Sequence, residues 1–457
     1  MSGRWQPALP AALLTVLALA GTAGIASAHG SVGGGIEAPI PLWLLYAGSG
    51  LTVAVTAGWL AVGERRPADL RTDWAVVVPP WVARGVALVG RVLGLLVLVA
   101  VVAGGLLGPQ VQSENVATVL FWPLWLKGLG LVAIFVGSPW RIVSPWATLY
   151  DGLAWLEGRD PVLVGDYPDR LGVWPALLGF LALVGILENL TTVPRSPRLT
   201  AAVVAGYALV MVLGALAFGR PWLRSADTFA VLYRLFARVS PLTVERGGGR
   251  YRLTARAPWR ACTRPVADLS VVAFVVAAVY TVSFDGMTET PEFQTLLTAL
   301  TGSGGPTATA VGLYVVGFAL FLVSYALAVW GVDRVGGETG WDTTATAFAG
   351  SVVPIAAAYE VAHTYPFVLR NLGTFVGLAT GGVLTPSLTA WLPVAGFWAS
   401  QVVLVVGGHL VAVVAAHAVA SNRYGPAAGR RAHLPLVVVM VGYTVLSLWI
   451  VSQPVVA

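Results

Sequence analysis

Cysteine is nearly missing from this 457-residue chain. Cys262 is the only one, so no intrachain disulfide and no cysteine-built metal site is available. Charge is scarce as well. Asp, Glu, Lys and Arg make up 11% of the residues, about half of what a soluble domain carries, and that excludes an ordinary water-soluble fold. The usual signatures of soluble enzymes are missing too. There is no phosphate-cradling Walker loop, no HExxH, no CxxC and no GxSxG. The glycine run 247–249 has no strand–helix context and reads as a turn. The net charge of +6 comes from basic loops. In an apolar chain that reports orientation and predicts no nucleic-acid partner.

What is present is hydrophobic length: 57% of the residues are apolar. Ten runs near 41–62, 82–106, 118–137, 172–191, 199–218, 266–285, 309–332, 345–367, 394–419 and 434–453 are each close to the roughly 20 residues that cross a bilayer. The fold class expected is all-α, a polytopic helical membrane protein. Residues 1–28 read as a cleaved signal peptide, with Arg4 before the apolar core Ala11 to Ala20 and a small-x-small site at Ala26-Ser27-Ala28. Cleavage there makes 29–457 a single integral domain beginning at His29.

Arginine alternates between the two sides. Arg65, Arg66, Arg71 and Arg84 lie on one side, followed by Arg141, Arg159 and Arg170, then ten arginines in loop 219–265, then Arg334, Arg423, Arg430 and Arg431. The other side holds only Arg195, Arg198 and Arg370. This asymmetry predicts ten spans with both ends outside, in the cytoplasmic (plasma) membrane. The basic loop 219–265 is expected to meet anionic lipid. Trp146, Leu149, Tyr150, Leu153 and Leu156 fall at helical spacing, as do Phe229, Leu232, Leu235 and Phe236. Both sets predict short interfacial helices on the arginine-rich side. Thr243 to Glu245 and Arg250 to Thr254 flank a glycine turn and predict a small hairpin.

An ionisable side chain inside a span needs a partner or a purpose. The set is Arg91, Lys127, Glu188, Asp285, Glu360, His363, His409 and His417. Glu188, Asp285, Glu360 and His363 come from three spans and share one depth near the arginine-poor side. Glu360 and His363, at i and i+3, share a helix face, with Tyr359 beside them and Pro354 and Pro366 bracketing the turn. One reading of the four is a structural hydrogen-bond network. The other is an outward-opening carboxylate–imidazole site for a divalent metal such as zinc, or a proton relay. His409 lies mid-span. A mature His29 would offer an amine–imidazole chelate suited to copper.

Several segments carry a resemblance: Ala28-His29-Gly30 with Pro39-Ile40-Pro41-Leu42-Trp43, Ser144-Pro145-Trp146, Tyr167-Pro168-Asp169-Arg170-Leu171-Gly172, Leu235-Phe236-Ala237-Arg238-Val239-Ser240-Pro241, Ser283-Phe284-Asp285-Gly286, Val353-Pro354-Ile355, Gly408-His409 and Leu448-Trp449. They resemble a family of bacterial and archaeal integral membrane proteins often labelled fenitrothion hydrolase. The resemblance covers nearly the whole mature chain. It implies a membrane-embedded hydrolase acting on an apolar phosphotriester. Glu360 departs from the family pattern, where an apolar residue is expected, so Asp285 and His363 are the firmer site residues.

Three functions follow as expectations. The first is a metal-dependent hydrolase in which Asp285 and His363 hold the ion and Glu188 is base or ligand. The second is a copper handler that captures the ion at His29 and passes it by His363 and His409. The third is a scaffold bound to a partner membrane subunit.

Overall fold

The computed structural model describes residues 41–62, 71–247, 250–301, 305–337 and 340–452. The signal segment and His29 lie outside these residues. Ten helices are long and apolar enough to cross a membrane: Leu42–Leu60, Pro80–Leu107, Val116–Phe135, Asp169–Glu188, Pro197–Phe218, Leu269–Thr288, Gly305–Gly336, Trp341–Ala379, Val394–Gly425 and Ala427–Ser452. Each expected span overlaps one of them. The protein is an all-α, multi-pass helical bundle.

Burial separates the spans into two classes. In the sixth and eighth, 89% of the most apolar stretch is buried, against 22% in the first, second and seventh. The sixth and eighth are therefore the axis of the bundle, and the others present aliphatic surface outward. The eighth and ninth spans approach closely because Gly408 has no side chain. A Cβ there would lie 2.3 Å from that of Ala358 and 2.9 Å from the Pro354 carbonyl. Small residues at such crossings let backbones meet without a void.

Two spans are not uniformly α-helical. Phe121–Gly128 in the third and Leu181–Glu188 in the fourth are π-helical, with a wider turn. In the third span the cause is local: Pro123 has no N–H to give the preceding turn. The sequence offers no comparable cause in the fourth. The Tyr233 hydroxyl donates to the Trp125 and Leu126 carbonyls at 3.2 and 2.8 Å, satisfying backbone in the widened turn.

Both short helices form on the arginine-rich side. Pro145–Glu157 is capped by the Ser144 hydroxyl, which accepts from the Ala147 N–H, and stops at Gly158 with φ of 72°. Trp146 and Tyr150 are buried while Leu153 and Leu156 face outward, as an interfacial helix requires. Thr228–Phe236 goes deeper, with Phe229, Val231, Leu232, Tyr233, Leu235 and Phe236 all buried. Asp227 draws it inward. Asp227 Oδ2 accepts from the Trp140 and Trp146 indoles, each at 2.7 Å, and Oδ1 accepts from the Tyr207 hydroxyl and the Phe229 N–H, each at 3.0 Å. Burial pushes this carboxyl up to about 6 even though all four bonds favour the ion.

The expected hairpin is present as β2 (Leu242–Gly247) and β3 (Arg250–Arg256), and a third strand, β1 (Arg71–Val78), joins it. The order is β1-β3-β2, all antiparallel, with Val76 and Val244 both opposite Leu253. The β-branched run Val76–Val78 fits a strand, but its partner is about 175 residues away in sequence, beyond the reach of local pattern reading.

Candidate functional site

Three spans bring acidic groups to one depth. Glu188 ends the fourth span, Asp285 lies one turn before the end of the sixth, and Glu360 and His363 share a face of the eighth. The four residues expected to converge do so. The third span supplies what balances them. Lys127 Nζ lies 3.5 Å from Glu188 Oε2 and 3.7 Å from Glu360 Oε1. Beside this triplet, His363 Nε2 is 3.0 Å from Asp285 Oδ2.

The backbone is specialised at these positions. Both π-helical stretches end on the triplet, one carrying Lys127 and the other closing on Glu188. Such wide turns recur at functional sites because they re-aim side chains without breaking the helix. In the eighth span, Pro366 removes the N–H that would bond the Ala362 carbonyl. Gln401 of the ninth span replaces it, its Nε2 donating to that carbonyl at 2.6 Å. The Tyr359 ring stacks on His363 with centroids 6.2 Å apart. These supports fix the turn that carries Glu360 and His363.

Exposure is graded across the cluster. The Lys127, Glu188 and Glu360 side chains are 8%, 11% and 11% exposed, while His363 and Asp285 are 27% and 23% exposed. The imidazole pair is therefore the mouth and the lysine triplet the interior. Just beyond the sixth span, Glu289 faces the mouth, where burial pushes its carboxyl up while His363 pulls it down. Beneath the triplet is a cavity of about 20 Å³, bounded by Lys127, Asp285 and Glu360 above and by Leu232 and Phe236 below. That is room for about one water molecule. Leu232 and Phe236 belong to the Thr228–Phe236 helix, which closes the site from the arginine-rich side.

The charges do not cancel. With the lysine and the imidazole both charged against three carboxylates, the formal sum is one negative charge. An uncompensated charge in such surroundings costs several kcal/mol. Uptake of a cation would offset that charge, and the proton is the one that needs no further ligands.

A metal ion fits less well. Among the described residues, no group of three or more His, Cys, Asp and Glu could hold one. Between the two glutamates, the Lys127 ammonium already supplies the positive charge a metal would bring. His409, expected to join a metal path, sits apart. Its Nδ1 bonds the Val405 carbonyl of its own helix at 2.8 Å, and its Nε2 is buried without a partner. His417 is buried against His433, with ring centroids 4.9 Å apart.

Lys127 is the residue that sequence reasoning leaves without a role. Its signal is compositional: it is the only lysine in the chain, and the other 26 basic residues are arginines. Gln401 was also missed; an amide in an apolar run carries little signal until the carbonyl freed by Pro366 is seen beside it. No protein-family model, no curated protein and no solved structure matches the chain.

Proposed function

We propose that this is a proton-coupled protein of the cytoplasmic membrane. The Lys127–Glu188–Glu360 triplet holds a proton, and the Asp285–His363 pair exchanges it with the arginine-poor side. The observation that carries this reading is the single ammonium shared by two buried carboxylates, with a third carboxylate held by an imidazole nearby. In that arrangement a proton can be held among these groups without leaving an isolated buried charge. The graded exposure gives the proton a way in, and the Leu232–Phe236 floor prevents a free leak. The test is proton movement into proteoliposomes containing a pH-reporting dye, together with infrared difference spectra of the carboxyl groups between two pH values. Wild type should show a protonated carboxyl that Glu188→Gln or Glu360→Gln removes. Identical spectra in wild type and both variants would end the proposal.

One observation favours a second reading, the hydrolysis implied by the family resemblance. His363 and Asp285 form an acid–base pair at the open end of the site, a geometry suited to a general base oriented by a carboxylate. An apolar crevice of about 220 Å³ opens between the sixth, seventh, eighth and tenth spans; its lining ends at Val279 and Ile355, so a hydrophobic substrate held there would still have to move along these two helices to reach the pair. In this reading no metal takes part. Turnover of a chromogenic phosphotriester that is lost in His363→Gln but kept in Lys127→Met would favour it over the relay.

A further inference from the structure

Beyond His363 the eighth span continues to Ala379, and the chain then folds back as the segment 380–393. The return is close because Gly373 lacks a side chain: a Cβ there would lie 2.3 Å from the Pro386 carbonyl. Between helix and returning segment lies a groove of about 610 Å³. Arg370 is its only charged residue, and no carboxylate lines it. The hydroxyls of Thr385, Ser387 and Thr389 surround the rest, while the Thr374 hydroxyl donates to the Arg370 carbonyl at 3.3 Å and the Gly381 and Gly382 N–H groups donate to the Leu378 and Gly377 carbonyls.

A second observation comes from the charge pattern. Arginine is excluded from this side almost everywhere, and Arg370 is one of only three exceptions. No carboxylate pairs with it among the described residues. An arginine kept against the orientation rule, without an acidic partner and among hydroxyl donors, has the chemistry of an oxyanion anchor. We infer that this groove binds a small oxyanion, a phosphate, sulfate or carboxylate group, with Arg370 as its charge partner and the hydroxyls of Thr385, Ser387 and Thr389 as further donors.

The groove lies beyond the mouth of the cluster, and no residue of the cluster lines it. Arg370 follows His363 by seven residues, two helical turns, so the two lie on one face about 10 Å apart along the axis. An anion in the groove and a proton on the cluster would stabilise each other, and linkage makes that reciprocal. Facing His363 are Asp285 and Glu289 of the sixth span and its end, Lys127 of the third, and Tyr359 and Glu360 of its own helix. The groove itself does not depend on the relay reading; only its pH dependence does.

The test titrates sulfate and inorganic phosphate into the full chain in nanodiscs of zwitterionic lipid, and separately counts anionic phospholipid retained on purification by mass spectrometry. A soluble ligand gives saturable sulfate or phosphate binding. A lipid headgroup instead gives retained anionic lipid that the soluble ions displace weakly. In either case Arg370→Gln should weaken binding at least tenfold, and Ser387→Ala and Thr389→Val, which leave the charge in place, several-fold. Absence of all three ligands from wild type, or affinity unchanged in Arg370→Gln, overturns the inference. Should Arg370→Gln fail to fold, unchanged affinity in the two hydroxyl variants does the same. Sulfate has no proton to gain in the working range. If its affinity rises as pH falls, and that rise is lost in His363→Gln, groove and relay are coupled. If it is flat with pH yet depends on Arg370, the groove stands and its coupling to the relay fails.

Discussion

Replacing Lys127 with methionine tests the centre of the site. Methionine keeps most of the length and apolar stem and removes only the ammonium. At 3.5 and 3.7 Å, and with an effective dielectric constant of about 20, each carboxylate gains about 4–5 kcal/mol of attraction from that ammonium. Desolvation of all three groups offsets much of it, so the pair energies do not add to a net stability. What the variant does leave is two buried carboxylates with no cation, and removing one partner of a buried pair costs about 3–5 kcal/mol. Lys127→Met should therefore lose about that much stability. Glu188→Gln or Glu360→Gln alone should lose less, about 1–3 kcal/mol, since the lysine keeps its other partner. The triple variant Lys127→Met, Glu188→Gln, Glu360→Gln should recover most of the loss, because neutral groups can share hydrogen bonds. The assay is unfolding by denaturing detergent in mixed micelles, followed by tryptophan fluorescence. If Lys127→Met is within about 0.5 kcal/mol of wild type, the scale of an ordinary surface change, the ammonium does not hold these carboxylates and the electrostatic reasoning fails. If the triple variant is no better than the single one, the cost is one of packing and not of charge.

Further outcomes are expected at three residues. Asp227→Ala should orphan two indole N–H groups, a phenol and a helix cap, at about 1–3 kcal/mol for each group left unpaired, and should abolish the folded state in detergent. The milder Asp227→Asn variant reads the pH effect. The Asp227 carboxyl sits at about 6 in the fold against its ordinary 3.8, so the folded state binds the proton more readily. Its burden of about 3 kcal/mol is then fully present above pH 6 and relieved as pH falls toward 4, and wild type should gain on Asp227→Asn across that window; a constant difference would contradict this. Cys262 is fully buried and its thiol is pushed up to about 12, so alkylation at pH 8 should be negligible until the protein is denatured; prompt labelling of the folded protein would show the site to be open. Because Lys127 is the only lysine and its side chain is 8% exposed, an amine-reactive ester should modify only the N-terminal amine of the folded chain, with a second label, located by mass spectrometry, appearing on unfolding.

The spans could be read from the chain because two independent signals agree, apolar length and arginine alternation, and each constrains the other's register. Residue depth followed from them, which is why Glu188, Asp285, Glu360 and His363 could be placed together. Three things stayed out of reach for physical reasons. The partner of β3 is far off in sequence. Asp227 gathers donors from Trp140, from Trp146 of the Pro145–Glu157 helix and from Tyr207 of the fifth span, and nothing local marks a carboxylate with such partners. Lys127 lies near the middle of its own span, eleven residues past the first residue of its helix, whereas its partner Glu188 is the last residue of the fourth span. Equal depth could not be inferred without the widened turns that bring the third and fourth spans into register.

The identity of the one buried cation then bears on function. Twenty-six of the 27 basic residues are arginine, so wherever this chain needs a permanent positive charge it uses a guanidinium. Arginine would also be the stronger structural choice between two carboxylates, since its planar fork bonds each of them in fixed geometry and it never gives up its proton. At the single position enclosed by Glu188 and Glu360 the chain has an ammonium instead. An ammonium is a compact point charge, and unlike a guanidinium it can lose its proton when buried. A cation chosen only to hold helices together gains nothing from that property. A cation that hands on its own proton requires it, against the pull of the two carboxylates that favour the charged form here. Lys127→Arg separates the two: it should keep or raise stability while stopping proton uptake into proteoliposomes. If uptake survives in Lys127→Arg, the lysine is a strut, and the relay must run through Asp285 and His363 alone.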